Sequence, residues 1–294
     1  MNRVFTAALL LLVFTAANLP PAVSAAQGAI DLGQEDYSTW SLYGSATLNT
    51  TTYNSLIYQN IVLTSPGVAD SAGAAFAPAP LTIDLNQPFS FRFPFYISPG
   101  TVVRGDGLTF VLAGTPRVGN GGSGLGYETL NGVAFAVDTF DFGSPDPVSP
   151  SLQILTGGSV DPVAFTETGL GDDIWYTFAN EHFQWNAIVS YTPSGNNDQL
   201  GTLTGSIQQP AFPGYDGLPI SVSAPVDLSL LGTDVFDPDT NAYLYSSLYY
   251  GFTAGNGLAD DGHFVTSVIP IPEPASLALL AAGSLSLLRR RRAA

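Results

Sequence analysis

The chain has 294 residues and no cysteine, and its 24 acidic residues outnumber eight basic ones, which gives a formal net charge of −16. The lack of cysteine excludes disulfides and thiol chemistry. The negative charge repels phosphate backbones and anionic lipid, so nucleic acid is not an expected partner, while neutral ligands and divalent cations are compatible with it. With 11% charged and 12% aromatic residues, the composition indicates a folded β-rich chain rather than a disordered one.

The first 25 residues have the pattern of an export signal. Arg3 precedes an apolar run over residues 4–17, and small residues follow up to Ala25. A basic start, a short apolar stretch and small residues near a break are typical of a signal peptide. The run is short for a membrane anchor. We therefore predict a signal peptide over residues 1–25.

The body of the chain, residues 26–269, is predicted to consist of strands. Phe89, Phe91, Phe93 and Phe95 alternate with other residue types, a period of two that is typical of a strand with one buried face. Similar short segments occur at residues 108–112, 133–137, 187–191, 200–207, 245–252 and 263–269. Many short strands bounded by turn residues, without a helical stripe or an internal repeat, predict a single β-sandwich or jelly-roll domain.

The C-terminal segment, residues 270–294, has three parts. Pro-Glu-Pro at 272–274 is followed by an apolar stretch over 275–288 and by four arginines at 289–292. The stretch is marginal for a membrane span, and the arginines would hold its end in the cytoplasm. This order resembles the PEP-CTERM sorting signal of Gram-negative bacteria. The resemblance implies processing by an exosortase and delivery to the cell surface, outer membrane or extracellular matrix; a plain tail anchor is the alternative.

Four stretches of the body resemble the L-type (legume-like) lectins, in that family's order. They are residues 71–76, residues 105–112, residues 122–127 with 133–140, and residues 250–255 with 257–258 and 263–268. In the family these regions are an early strand, an Asp-Gly strand, a Gly-rich loop with the metal strand, and a closing hairpin. The resemblance implies an all-β, concanavalin-like jelly-roll sandwich of two antiparallel sheets that binds carbohydrate at one rim.

The resemblance places the sugar site around Asp106. The aspartate at this position in the family receives the sugar and follows a cis peptide, so we expect an unusual backbone at Gly105–Asp106. A carboxylate can accept two hydroxyl hydrogens in charge-assisted bonds, and glycines allow backbone N–H groups to come close to a hydroxyl oxygen. Taken alone, Asp106 would be a turn residue in an Asp-Gly pair. The other expected sugar contacts are Gly122, Ser123, Gly124, Asp141, Leu258 and Ala259.

The resemblance also implies a calcium site formed by Asp138, the backbone carbonyl of Phe140, Asp141 and Asp146. Such oxygen ligands suit Ca²⁺. The family's glutamate two residues before Asp138 is replaced by Ala136, and its histidine after the last aspartate is missing, so no transition metal is expected. The family's asparagine is missing too, with Asp141 as a substitute oxygen ligand, which leaves calcium binding open. The alternative is an acidic solvated loop.

The function that we predict is carbohydrate binding by an exported protein, with glycans or exopolysaccharide and an exosortase as partners. A structural or adhesive matrix protein without a working sugar site is an alternative, because a fold does not determine a function. A jelly-roll glycosidase is less favoured. It needs two carboxylates about 5–10 Å apart, whereas Asp138 and Asp141 differ by three positions and would point to opposite faces of an extended strand. We therefore expect no enzyme, and membrane contact only through the tail.

Overall fold

The computed structural model describes residues 28–100, 103–143, 146–175, 184–195, 200–211, 215–229, 231, 233–237 and 242–271. The predicted signal peptide and nearly all of the predicted sorting segment lie outside these ranges. In chain order the strands are β1 (Ala29–Asp31), β2 (Ser41–Gly44), β3 (Thr47–Tyr53), β4 (Leu56–Thr64), β5 (Ser71–Phe76), β6 (Leu81–Asp84), β7 (Phe89–Ser98), β8 (Gly107–Ala113), β9 (Gly132–Asp138), β10 (Ser151–Thr156), β11 (Ala164–Glu167), β12 (Trp185–Pro193), β13 (Leu200–Gln208), β14 (Ile220–Asp227), β15 (Thr233–Asp237), β16 (Ala242–Asn256) and β17 (Gly262–Pro270). Short 3₁₀ helices occur at Leu32–Gln34, Tyr37–Thr39, Gly122–Gly124 and Gly171–Ile174.

The strands form two sheets. The back sheet has the order β14-β13-β12-β7-β17-β4-β3, with β1 beside β7. The front sheet has the order β11-β10-β9-β8-β16-β5-β2, with β6 and β15 also paired to β16. The β1–β7 pair is parallel, and the neighbouring strands within both sheet orders pair antiparallel. The prediction of an all-β domain with two antiparallel sheets is confirmed.

The core between the sheets follows from the alternation along β7. Its four phenylalanines are at most 3% exposed, while Arg92 between them is exposed. The ring of Phe91 lies 4.9 Å from that of Phe110 on the front sheet, and Phe93 lies 4.9 Å from Phe252. Burial of one such ring stabilises the fold by roughly 1.5–3 kcal/mol. The phenylalanines on the buried face of β7 therefore pack the back sheet against the front sheet.

The Gly-rich loop covers the outer face of the front sheet. Leu125, Tyr127 and Leu130 are at most 2% exposed and belong to a second apolar cluster with side chains of β5, β8, β9 and β10. The hydroxyl of Tyr127 donates to the carbonyl of Gly132 at 2.7 Å. Because these anchors lie just after residues 122–124, the loop is held against the end of the sheet that contains Asp106.

The last strand of the described domain ends beside the predicted sorting segment. Strand β17 ends at Pro270, and the N–H of Ile271 donates to the carbonyl of Ser55 at 2.9 Å. The segments predicted from alternation fall in β7, β8, β9, β12, β13, β16 and β17, and the early strand implied by the resemblance is β5. Within the described ranges, no helix is long and apolar enough to cross a membrane.

Candidate functional site

Asp106 lies just before β8, at the rim of the front sheet. The Gly105–Asp106 peptide is cis, as expected. The N–H of Asp106 donates to the carbonyl of Gly255 at 3.3 Å, and its carbonyl accepts from the N–H of Thr139 at 2.8 Å. Its Oδ2 atom accepts from the backbone N–H of Gly257 at 2.5 Å. Backbone contacts with both neighbouring strands thus fix this residue.

The other carboxylate oxygen of Asp106 has a different environment. Oδ1 accepts no hydrogen bond from any residue in the described part of the chain, although the residue as a whole is only 2% exposed. This atom is not among the fully buried side-chain atoms that lack a partner. Solvent therefore reaches Oδ1, and it is an unused acceptor at the bottom of the rim.

Two glycines keep side chains away from this carboxylate. A Cβ atom built on Gly257 would lie 3.3 Å from Oδ2 of Asp106 and 3.3 Å from Cα of Gly122. Gly122 itself has a φ of +60°, in the left-handed region that glycine adopts without steric cost. The first residue of the Gly-rich loop and the loop after β16 therefore meet beside Asp106, as the resemblance implies.

The rest of the Gly-rich loop contributes less. Ser123 is exposed, and Gly124 is buried in the same 3₁₀ turn. A Cβ atom on Gly124 would lie 3.0 Å from the Cβ of Asn120, which explains a small residue there by packing. The contacts predicted for Ser123 and Gly124 stay predictions.

The loop after β16 and the loop after β9 contain the remaining sugar contacts of the prediction. Leu258 is 89% exposed next to Gly257, whereas Ala259 is 2% exposed, so its methyl group faces the interior. Asp141 is exposed, and its Oδ1 accepts from the N–H of Gly143 at 2.6 Å. None of its hydrogen bonds within the described ranges reaches Asp106.

Asp261 is a residue of this rim that the sequence analysis did not identify. It is fully buried, and its carboxylate accepts from the backbone N–H of Gly100 at 2.7 Å, from that of Gly105 at 3.0 Å, and from the indole N–H of Trp175. Its own N–H donates to the carbonyl of Gly105 at 3.2 Å. Asp261 thus holds both sides of Gly105 and positions Asp106.

The carboxylates of the rim are hard to ionise. Burial raises the pKa of Asp106 to about 6, the charge of Asp261 adds to the rise, and the N–H of Gly257 opposes it. Burial also raises the pKa of Asp261 to about 6 against the effect of its N–H donors. Asp106 is therefore mostly charged at neutral pH, as an acceptor for hydroxyl groups must be to form charge-assisted bonds.

The predicted metal ligands belong to the loop after β9. Asp138 is 8% exposed; its Oδ1 accepts from the N–H of Phe140 at 3.0 Å, and its Oδ2 accepts from the amide of Gln153 at 2.9 Å. Asp146 accepts from the N–H of Phe142 at 2.9 Å. Burial raises the pKa of Asp138 to about 7, and the charge of Asp146 adds to it. The loop thus has carboxylates that repel each other and that backbone N–H groups partly satisfy.

The chemistry of these donors fits calcium better than a transition metal. The carboxylates are oxygen ligands without a basic partner, since the salt bridge within the described ranges joins Arg104 to Asp172. Gln153 lies opposite Ala136 in the pairing of β9 and β10, and its side-chain amide donates an N–H to Asp138. An amide N–H that points at this carboxylate would repel a transition-metal ion bound there beside the calcium. Among the described residues, however, no three histidine, aspartate or glutamate side chains lie close enough to hold an ion. Calcium binding stays a prediction.

Comparisons with known proteins confirm the fold and the tail. Lectin I-B4 from Griffonia simplicifolia, solved metal-free, is 20% identical and has a TM-score of 0.55, with 79% of this chain and 93% of its own covered. A lectin from Bauhinia forficata in complex with GalNAc is 18% identical with a TM-score of 0.56, covering 81% and 96%. The domain has the legume lectin fold. Arcelin-5, a lectin-like defense protein from Phaseolus vulgaris, has the same fold, with 20% identity, a TM-score of 0.54 and coverage of 78% and 91%.

The tail beyond the lectin fold matches a family model. Residues 270–292 match the PEP-CTERM protein-sorting motif, which confirms the interpretation of the C-terminal segment. A search among curated proteins found no sequence relative. At identities of 20% or less, the structural likeness establishes the lectin fold, and the activity has to be argued from the rim around Asp106.

Proposed function

We propose that this chain is an exported carbohydrate-binding protein whose sugar ligand binds at Asp106. The observation that carries the proposal is the Oδ1 atom of Asp106, which accepts no hydrogen bond within the described ranges, while Oδ2 is held by the backbone N–H of Gly257 and lies beside Gly122. A carboxylate oxygen without a protein donor can accept a charge-assisted hydrogen bond, which contributes about 1.5–3 kcal/mol. A sugar hydroxyl is such a donor.

The remainder of the rim supplies the two other features of a sugar site. The glycines leave backbone groups accessible to hydroxyl oxygens. Leu258 is 89% exposed at the edge of the same loop, so its side chain can cover the apolar face of a sugar ring. Asp261 acts indirectly, because it binds Gly105 and fixes the direction in which Asp106 points. The ligand would be a neutral glycan, since the chain carries a net charge of −16.

The proposal is binding without cleavage. Hydrolysis of a glycosidic bond needs two available carboxylates. Two carboxylates interact electrostatically with Asp106. The charge of Asp261 raises the pKa of Asp106, and the charge of Asp106 raises the pKa of Asp138. Both oxygens of each accept hydrogen bonds from the protein. Asp106 is therefore the single available carboxylate of this group, and one carboxylate does not suffice for the reaction.

The proposal includes calcium at the loop after β9, held by Asp138, the carbonyl of Phe140, Asp141 and Asp146. The ion would supply positive charge that offsets the mutual repulsion of these carboxylates. The N–H of Thr139 donates to the carbonyl of Asp106, so order in this loop is transmitted to the sugar site. To hold an ion, Asp141 and Asp146 would exchange their present bonds to backbone N–H groups for the ion.

The sorting motif supports the location. A PEP-CTERM match at residues 270–292 favours export and attachment through the C-terminal segment, with an exosortase as processing partner. We propose the bacterial cell surface or its exopolysaccharide matrix as the place of action, with the signal peptide at residues 1–25 removed. A neutral exopolysaccharide of the same cell would then be the ligand that the protein meets first.

A structural matrix protein is the second candidate. The observation that favours it is the low exposure of Asp106, 2%, which leaves a narrow opening for a ligand. In that case the acidic rim would serve only to hold the loops of the sandwich together. The protein would then take part in the matrix through its outer surface and its C-terminal segment.

Asp106→Asn separates the two candidates. The amide keeps the size of the side chain but removes the charge, so binding of the full-length protein to a glycan array and to the host's exopolysaccharide should fall at least about ten-fold. The control is Asp161→Asn, an exposed aspartate in the loop after β10. Binding by the control but not by Asp106→Asn supports the lectin, whereas no binding of the wild type to any glycan supports the matrix protein.

A further inference from the structure

Two depressions lie side by side on the outer face of the back sheet, away from Asp106. The first has a volume of about 400 Å³ and is lined by Tyr58, Asn60, Tyr96, Gln184, Thr266 and Val268, among others. The second has a volume of about 420 Å³ and is lined by Arg92, Asn186, Ile188, Ser206 and Gln208, among others. Volumes of this size are typical of sites for small organic ligands.

The two depressions are neighbours on one face of the back sheet, and we call the pair the trough. Gln184 lines the first and Asn186 lines the second; they are two residues apart at the start of β12 and so lie on the same face. Most of the lining residues belong to β4, β17, β7, β12 and β13, five consecutive neighbours in the sheet, and the others lie in the segments that precede β12 and follow β13. At about 4.8 Å per strand spacing the trough is about 19 Å long. Such a shape fits a linear chain better than a single compact molecule.

The first depression has a built aromatic floor. The ring of Tyr96 stacks on that of Phe264, with centroids 4.4 Å apart and planes at 5°, so its orientation is fixed. Tyr58 is 36% exposed at the other side. The amide of Gln184 reaches across to the hydroxyl of Thr266 at 2.9 Å. Ring faces pack against the C–H groups of a sugar, and amides and hydroxyls can both donate to and accept from sugar hydroxyls.

The charge of the trough selects among polymers. None of the described residues that line the first depression is charged, and Arg92 is the single charged residue that lines the second. The chain as a whole is strongly negative. A single arginine is too little charge to select an ionic polymer, and the other described lining residues offer amides, hydroxyls and rings, so the lining matches an uncharged ligand.

We propose that this trough is a second carbohydrate-binding surface, which takes a stretch of a neutral polysaccharide along its length. It uses none of the residues at Asp106 and therefore does not depend on that site. With one site at the rim of the front sheet and one on the face of the back sheet, a single chain would bind two polysaccharide segments. Because both sites belong to one chain, binding at one site would raise the effective concentration at the other.

The test is affinity electrophoresis of the full-length protein in gels that contain dextran, galactomannan, xyloglucan or the host's own exopolysaccharide. An Asp106→Asn background removes the first site. In that background we expect at least one polymer to retard the protein, and the added pair Tyr58→Ala and Tyr96→Ala to weaken this retardation at least ten-fold. Tyr53→Ala is the matched control, because this tyrosine on β3 is 63% exposed and outside the trough.

Folding and self-association are checked in parallel. Because Tyr96 packs on Phe264, the pair Asn60→Ala and Gln184→Ala, which keeps both rings, has to weaken retardation as well. Retardation of the Asp106→Asn protein that no trough substitution changes overturns the proposal, as does a lack of retardation of that protein by every polymer. A dimer in size-exclusion chromatography that Tyr58→Ala dissociates would assign the face to a second copy of the chain and overturns it too.

Discussion

The rim at Asp106 and the loop after β9 are both acidic, yet they differ in what their carboxylates do. Gly107 and Asp138 pair directly across β8 and β9, so the two regions are neighbours at one end of the front sheet. Among the described residues, one oxygen of Asp106 has no protein partner, whereas both oxygens of Asp138 accept hydrogen bonds from the chain. The difference shows that the carboxylate of Asp106 can accept a new donor as it stands, whereas that of Asp138 would have to exchange its present donors before it could bind an ion.

Asp261→Ala should have the largest effect, because it removes the support of the rim. The substitution removes the acceptor of the buried N–H groups of Gly105 and Trp175 and of the partly buried N–H of Gly100, at about 1–3 kcal/mol for each buried group left unpaired. We expect the melting temperature in circular dichroism to fall by about 10 °C or more, since 1 kcal/mol corresponds to about 2–4 °C in a domain of this size. Asp161→Ala is the exposed control. A change of less than about 2 °C would show that Asp261 does not hold the rim.

Acidification should weaken glycan binding through Asp106. The pKa of this carboxylate is raised to about 6, so the charged acceptor is lost as the pH falls through that value. Between pH 7.5 and pH 5 the charged fraction falls about ten-fold, and the association constant measured by titration calorimetry should fall with it. An ordinary aspartate would stay charged over this range. A flat profile for the wild type would contradict the prediction, and the same slope in Asp106→Asn would assign the pH dependence to another group.

Calcium should stabilise the protein by a smaller amount. At a free concentration 100 times the dissociation constant, an ion that binds only the folded state contributes about 2.7 kcal/mol. We expect a rise of several degrees in melting temperature at pH 7.5, and its loss in the pair Asp141→Asn and Asp146→Asn. If calcium leaves the melting temperature of the wild type unchanged, the loop after β9 is an acidic solvated loop and the proposed metal site is wrong.

Gly257→Ala should have the smallest effect. It tests whether the ligand binds at the Asp106 rim rather than at the loop after β9. The added Cβ atom would lie 3.3 Å from Oδ2 of Asp106 and 3.3 Å from Cα of Gly122, which narrows the opening without removing the acceptor. Glycan affinity should fall a few-fold with an unchanged melting temperature. Gly28→Ala is the control, because a Cβ atom there meets nothing within 4 Å. Equal affinities of both variants would place the ligand elsewhere than between these glycines.

The sequence predicted the strands of the core well, and it predicted the rim only in part. The alternation in β7 reflects local geometry, so it was visible without a structure. The cis peptide before Asp106 followed from the resemblance and is confirmed. Asp261 could not be predicted, because Asp-Asp-Gly at residues 260–262 has the pattern of a solvated turn, while its partner Gly105 lies 156 residues away. Contacts over such separations leave no local pattern. The same holds for the trough, whose lining comes from five strands.

Strand β17 connects the rim to the tail. It begins next to Asp261 and ends at Pro270, where the segment matched by the sorting motif starts. Nine extended residues span about 27 Å. The rim at Asp261 and the first residue of the matched sorting segment therefore lie at opposite ends of one strand, so a change at residues 270–292 would act on the domain about 27 Å from the candidate sugar site.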